Sequence, residues 1–272
     1  MTPNNPTPHE TDSLLGTTHH SPRSKRRDAV VRHLTTDIDP QHGDILLIFC
    51  YIITGLLDSS AVFIWGAFVS MQTGNTVYLG LGLTDAQEGP RWIKSGVSIA
   101  SFCLGSTFFA AFYRFFKSPR ARWLLILSFT IQMLCLVVAA IIVTVEGSTK
   151  GPHLTWQILV PLALVAFQSS GQAVTSRVLK FNALSSVVLT SLYCDLFSHP
   201  DFVSPATMFR TLEERQRGAA VICMLFGTIL GGLWAKSSVG ILGALWTAVL
   251  LKFLIVLAWL QWRGKKAADE EQ

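Results

Sequence analysis

One carboxylate, one ammonium and a set of uncharged amides and hydroxyls stand inside otherwise apolar sequence, and these residues carry whatever chemistry the chain performs. Asp58 follows Asp44 by fourteen residues, about 21 Å along a helix rising 1.5 Å per residue, which is bilayer depth. A carboxylate there costs roughly 2.5–3.5 kcal/mol to insert, so it must face the bundle interior and either pair or hold a proton. Its chemistry is that of a coupling-ion or proton site, or of a structural pair between helices. Lys252, between Leu251 and Phe253, is the natural partner for Asp58. The alternative is that its long stem snorkels toward the cytosolic face.

The second constellation is Gln72-Thr73-Gly74-Asn75-Thr76, in a stretch without charge from Ala61 to Thr84. In hydrocarbon every backbone N–H and C=O needs a partner, so non-helical chain persists only where it is buried in protein or lines a wet cavity. Gly74 permits close backbone approach or φ > 0, while Gln72, Thr73 and Asn75 bring donors and acceptors without charge. At the start of a half-helix this set can receive a polar or anionic group on exposed N–H donors. The same residues also serve small-residue helix packing. Gln168 and Gln172, four apart and on one helical face, extend the polar set into the second half, as cavity lining or interhelical glue. Asp195, near His199 and a loop, reads as solvated.

The elements that position these residues follow from apolar run lengths. Stretches at about 45–65, 93–116, 122–145, 156–176, 218–235 and 239–262 each approach the roughly 20 residues a helix needs to span a bilayer. Two shorter ones, 68–83 and 185–197, interrupt the series, so the order long, short, long, long occurs twice. Gly55 and Gly171 are offset by 116, Thr73 and Thr190 by 117, in keeping with an internal repeat. With both short stretches re-entrant and a cytosolic N-terminus, seventeen Lys and Arg fall inside and four outside. If both cross, the division is fourteen to seven. Cytoplasmic loops carry the positive excess, so six spans fit better, and two groups of three spans place the halves in opposite orientations.

Composition agrees. Half of the 272 residues are hydrophobic and only 14% are charged, with a mean hydropathy of +0.43, too apolar for an ordinary soluble domain. The net charge of +5 flanks apolar segments instead of forming a stripe, which argues against nucleic acid as a partner. Residues 1–43 are polar and charged and read as a disordered cytosolic tail, with no signal peptide. They contain a basic run, Arg23, Lys25, Arg26 and Arg27, suited to anionic lipid or to marking the cytosolic side. They also contain Glu10 with Leu14-Leu15, similar to an acidic dileucine sorting signal. Residues 44–262 form the membrane domain, with halves at about 44–145 and 156–262, and 263–272 form a charged cytosolic tail. Cys50, Cys103, Cys135, Cys194 and Cys223 lie in apolar segments without C-x-x-C spacing, and read as small buried hydrophobes.

Gly55-Leu-Leu-Asp58, followed by Phe68 and Gln72-Thr73-Gly74-Asn75-Thr76, resembles the signature of the YoaK-like membrane proteins, the family of domain of unknown function 1275, found in bacteria and fungi. Gly171-Gln172-Ala173 and Val188-Leu-Thr190-Ser191 resemble its second-half pattern, except that Ser191-Leu192 stands where the family tends to repeat a Thr-Gly. The resemblance covers roughly 44–262 and implies a polytopic membrane protein, here a fungal member, of a group often guessed to be transporters. It implies no substrate.

Catalytic signals are sparse. His9, His19, His20, His33 and His42 lie in the tail, and His153 and His199 stand alone in loops, so the pattern offers no metal-ligand cluster, no nucleophile with its base and no cofactor motif. The sequence therefore reads as an all-α polytopic membrane protein with six long transmembrane helices and two short broken or re-entrant ones, in the order of a 3+3 inverted repeat. Its partners are the lipid bilayer and a small solute. The function expected is a small secondary permease for a small polar or anionic solute. Binding residues are expected at Asp58, Gln72, Thr73, Gly74, Asn75, Gln168, Gln172 and Lys252, with both termini cytosolic and the protein in vacuolar, endosomal or plasma membrane. The alternative is a membrane-embedded enzyme, acting through Asp58 and Glu146, or an accessory subunit.

Overall fold

A computed structural model describes residues 22–39, 43–85, 89–116, 118–147, 154–181, 184, 186–198 and 211–262. The dileucine string, His9, His19, His20, His42, His153 and His199 lie outside these residues. The described residues form α1 (Pro22–Thr35), α2 (Gly43–Ile64), α3 (Gln72–Thr84), α4 (Arg91–Phe115), α5 (Arg122–Glu146), α6 (Trp156–Val178), α7 (Leu189–Phe197), α8 (Leu212–Lys236) and α9 (Ile241–Gln261). Six of them, α2, α4, α5, α6, α8 and α9, are long and apolar enough to cross a membrane. The protein is an all-α, multi-pass integral membrane protein.

α2 and α6 lie deepest in the bundle. α2 packs along α8, and α6 packs along α4. Both pairs are parallel. Asp44 Oδ2 accepts from Gln216 Nε2 at 2.7 Å near the start of α2 and α8, and Ser60 Oγ donates to Gly231 O at 2.9 Å further along both. Glycines set the approach: a Cβ at Gly55 would stand 2.8 Å from Thr228 N, and one at Gly227 would strike the Ile52 carbonyl. This is small-residue packing, in which the missing side chain lets two backbones meet. Between α4 and α6, a Cβ at Gly105 would stand 2.6 Å from Phe167 O, and further along Tyr113 Oη meets Thr175 Oγ1 at 3.0 Å. α5 packs on α6 and α9, and α9 also on α2. The outer faces of α4 and α8 expose Leu104, Phe108, Ile222, Leu225, Phe226 and Leu233, as lipid-facing surfaces do.

The two short helices lie at opposite ends. Arg91 Nε donates to Gly66 O at 2.7 Å, so the chain leaves α2 and enters α4 at one end of the bundle, and α3 between them enters and returns. At the other end, Phe181 beyond α6 rests against Gly43 at the start of α2, and Asp195 of α7 lies 3.8 Å from Arg217 of α8. A capping box starts α8: Thr211 Oγ1 accepts from Glu214 N at 3.2 Å, and Thr211 N donates to Glu214 Oε2 at 3.0 Å.

Disorder throughout 1–43 does not hold for 22–38. α1 ends against α5, where Asp37 and Ala121 form an isolated antiparallel bridge. Arg122, the first residue of α5, is 1% exposed. Its Nη1 donates to His33 O and its Nη2 to Trp262 O, the latter at 2.6 Å. This segment has no long apolar run to order it; the partners that do so come from α5 and from the end of α9, where carbonyls without a partner in the helix meet Arg122 Nη2 at Trp262 O and His33 Nε2 at Leu260 O.

Candidate functional site

The polar residues gather in two places. The first is the break between α2 and α3. α2 ends at Ile64 because Gly66, with φ of 83°, turns the chain out of the helix, and residues 67–71 then run without regular structure. Asp58, 1% exposed and still within α2, receives this segment. Its Oδ1 accepts from Val69 N at 2.8 Å and Ser70 N at 2.9 Å, and its Oδ2 accepts from Ser70 Oγ. The carboxylate thus supplies the acceptors that the broken backbone would otherwise lack at that depth.

Asn75, fully buried, performs the same task from α3. Its Oδ1 accepts from Phe68 N at 2.9 Å, and its Nδ2 donates to Phe68 O at 2.8 Å and to Gln72 Oε1 at 2.9 Å. Ser98 of α4 joins by donating to Phe68 O at 2.7 Å, and Gln72 Nε2 donates to Val69 O at 3.2 Å. Gly74 does not take positive φ. Its lack of a side chain admits the Phe68 ring, which would stand 2.6 Å from a Cβ. Thr73 is exposed on α3 and takes no part in this network.

The second place is the interior where α2, α5, α6 and α9 meet. Lys252, mid-way along α9, is wholly buried, so it does not snorkel. It does not pair with Asp58 either: its Nζ donates to Gln132 Oε1 of α5 at 2.5 Å and lies 4.9 Å from the Phe129 ring centre. The Asp58 oxygens are already occupied by Val69 and Ser70. Gln132 Nε2 in turn donates to Ser128 Oγ at 3.2 Å. Gly171 of α6 makes room for the Gln132 amide, which would stand 2.8 Å from a Cβ. Next to it Gln172, 1% exposed, accepts at Oε1 from Thr54 Oγ1 of α2 at 3.2 Å and from Ser186 Oγ at 3.5 Å. One turn earlier Gln168 donates to Ser169 Oγ at 3.0 Å. Gln172 Nε2 and Gln168 Oε1 have no hydrogen-bond partner among the described residues.

A family model for a protein of unknown function, DUF1275, matches residues 46–258. The chain belongs to the DUF1275 family. The match opens within α2 and closes within α9, so it takes in all six long helices, both short ones and both polar centres, and leaves α1 outside. No curated protein and no solved structure matches the chain.

Of the candidates read from the sequence, Asp58, Gln72 and Asn75 come together at the break, and Gln168, Gln172 and Lys252 lie in the interior. Asp195, as expected for a solvated position, has an exposed side chain. Glu146 is exposed at the end of α5 and accepts from Gln157 Nε2 at 3.1 Å. Cys50 is buried, but Cys103 and Cys194 are exposed on outer helix faces, because a face turned to lipid is as apolar as a core. Sequence reasoning missed Ser70, Ser98, Thr54 and Gln132. Only Gln132 carries a signal of its own, as an amide within the apolar sequence of α5.

Proposed function

We propose that this protein is a small secondary permease for a small polar or anionic solute, built as a 3+3 inverted repeat. The observation that carries the reading is the pairing pattern of the helices. Exchanging the halves turns α2 into α6, α3 into α7, α4 into α8 and α5 into α9. Under that exchange the α2–α8 pair becomes α6–α4, α5–α6 becomes α9–α2, and α3 on α4 becomes α7 on α8, while α5–α9 and α2–α6 map onto themselves; all of these contacts occur. Inverted repeats with a broken helix from each half are a common plan for alternating access around a site near the midplane. The interior polar centre, drawn from the first helix of each half together with α5 and α9, is where such a site would lie.

On this reading Lys252, Gln132, Gln172 and Gln168 face the solute. Asp58 and Asn75 fix the break that lets α3 reach into the bundle. The charge distribution supports cytosolic termini, and the dileucine string supports a vacuolar or endosomal membrane over the plasma membrane. The test is flux in proteoliposomes holding the purified full-length chain, with labelled neutral polar solutes and labelled monocarboxylates offered separately. Saturable, protein-dependent movement of at least one class is expected. Absence of movement for every class, in vesicles shown to hold folded protein, would favour an accessory subunit or membrane-embedded enzyme instead.

A further inference from the structure

The interior centre has an unbalanced donor inventory. An ammonium offers three N–H donors and no acceptor, and an amide offers two donors and one acceptor oxygen. Lys252 gives one hydrogen to Gln132 Oε1. Among the described residues the ion pairs join Arg217 to Asp195 and Glu213, and no carboxylate of those residues stands within 4.0 Å of Lys252. The ionisable groups near enough to act on it electrostatically are the thiols of Cys50 on α2 and Cys135 on α5. The amide of Gln172 has its oxygen toward Ser186 Oγ and toward Thr54 Oγ1, whose one hydrogen is shared with Cys50 O at 3.0 Å, and its Nε2 is a buried donor with no partner among the described residues. Two bridges make these groups neighbours: Thr54 lies one turn along α2 from Cys50, and Gly171 abuts the same Gln132 amide that receives Lys252.

A buried cation without a counter-charge is costly, and a buried donor without an acceptor costs about as much as a lost hydrogen bond. The deficits at Lys252 and Gln172 have one sign, while Gln168 Oε1 beside them is an unfilled acceptor. A cationic solute would meet repulsion from the ammonium, and a neutral solute would leave its charge unbalanced. We propose, resting on the permease reading above, that this centre binds a small monoanion of carboxylate size, with Lys252 as its counter-charge and Gln172 Nε2 as a hydrogen-bond donor. Gln132 is a positioning residue that holds the ammonium in place. Gln168, one turn away with an unfilled oxygen, can accept a hydroxyl carried by the solute.

The experiment measures the melting temperature of the purified full-length chain in detergent as sodium acetate, sodium lactate or sodium chloride replaces sodium gluconate at fixed ionic strength. A ligand that binds only the folded state raises the melting temperature in a saturable way. At least one of the three small anions is expected to do so. Lys252→Met and Gln172→Leu should each weaken the apparent affinity tenfold or more, and Lys252→Arg should retain part of it. An unchanged response in folded Lys252→Met would place the anion elsewhere and overturn the proposal. If Lys252→Met fails to fold, an unchanged response in folded Gln172→Leu overturns it in the same way. Proteoliposome flux of a neutral solute, with no anion response by either method, would overturn the anion class and leave the permease reading standing. Anion stabilisation that depends on Lys252, with no flux of any solute, would support the site and overturn the permease reading.

Discussion

The side-chain amide of Asn75 pairs with the backbone of Phe68 in both directions, accepting from its N–H at 2.9 Å and donating to its carbonyl at 2.8 Å. A side chain here does for one extended residue what a neighbouring strand does in a sheet. Asn75→Ala removes both bonds and strands the Phe68 N–H in a partly buried position, at about 1–3 kcal/mol for that group alone. A lowered melting temperature of the purified protein is expected. Asn75→Asp keeps the acceptor but sets a buried carboxylate oxygen against the Phe68 carbonyl and Gln72 Oε1, and should destabilise at least as much. A melting temperature unmoved by Asn75→Ala would mean that the loop does not depend on this pair.

Asp58 is bonded to the break's own donors, so its size and acceptors matter more than its charge. Asp58→Asn keeps one oxygen for the Val69 and Ser70 amides, and the Ser70 hydroxyl can rotate to accept from the new NH₂ group. This variant is expected to insert, fold and move solute at a rate within a few-fold of the parent chain. Asp58→Ala leaves two buried backbone donors unpaired and should lower stability by roughly 2–6 kcal/mol, taking each orphan at about 1–3. Flux per folded molecule decides the matter, because its loss in a well-folded Asp58→Asn protein would assign ion coupling to the carboxylate.

The α2–α8 crossing depends on Gly231, where a Cβ would strike both Ser59 Oγ and the Leu56 carbonyl, whereas one at the adjacent Gly232 would meet nothing within 4 Å. Gly231→Ala should destabilise by about 1–3 kcal/mol, as overpacking does. Gly232→Ala should be neutral or slightly stabilising, since Ala is the better helix former. Thermal melts of the two variants side by side check this, and equal effects would contradict the close approach.

The bond from Arg91 to Gly66 O requires residues on both sides of α3 to label from one side of the membrane. In a background free of native cysteines, Ser118→Cys and Gly264→Cys should react with an impermeant reagent from the cytosol, and Gln87→Cys and Ser148→Cys from the opposite side. Reaction of Gln87→Cys from the cytosol would mean that α3 crosses, contrary to the six-span arrangement.

The sequence by itself determined the list of membrane elements, though not α1. Six apolar runs long enough to span, two shorter runs between them and a charge count favouring six crossings all follow from length, hydropathy and the position of Lys and Arg, which are local properties. It also marked the break, since Gln72, Asn75 and Asp58 are polar at a depth where polarity needs a partner. What each residue is bonded to was decided only by the tertiary structure. Asp58 and Lys252 are the obvious opposite charges within the apolar spans, yet one is engaged by the Val69 and Ser70 amides and the other by Gln132. Neither helix rotation nor register can be read from a span that is apolar on every face. The same holds for Arg122, which a linear reading places at the start of an apolar run and the fold buries between α1 and the end of α9. Hydropathy measures how deep a residue sits in the membrane. Its partner is set by which helices cross there, and glycines such as Gly55, Gly227 and Gly171 determine those crossings through contacts between residues far apart in the chain.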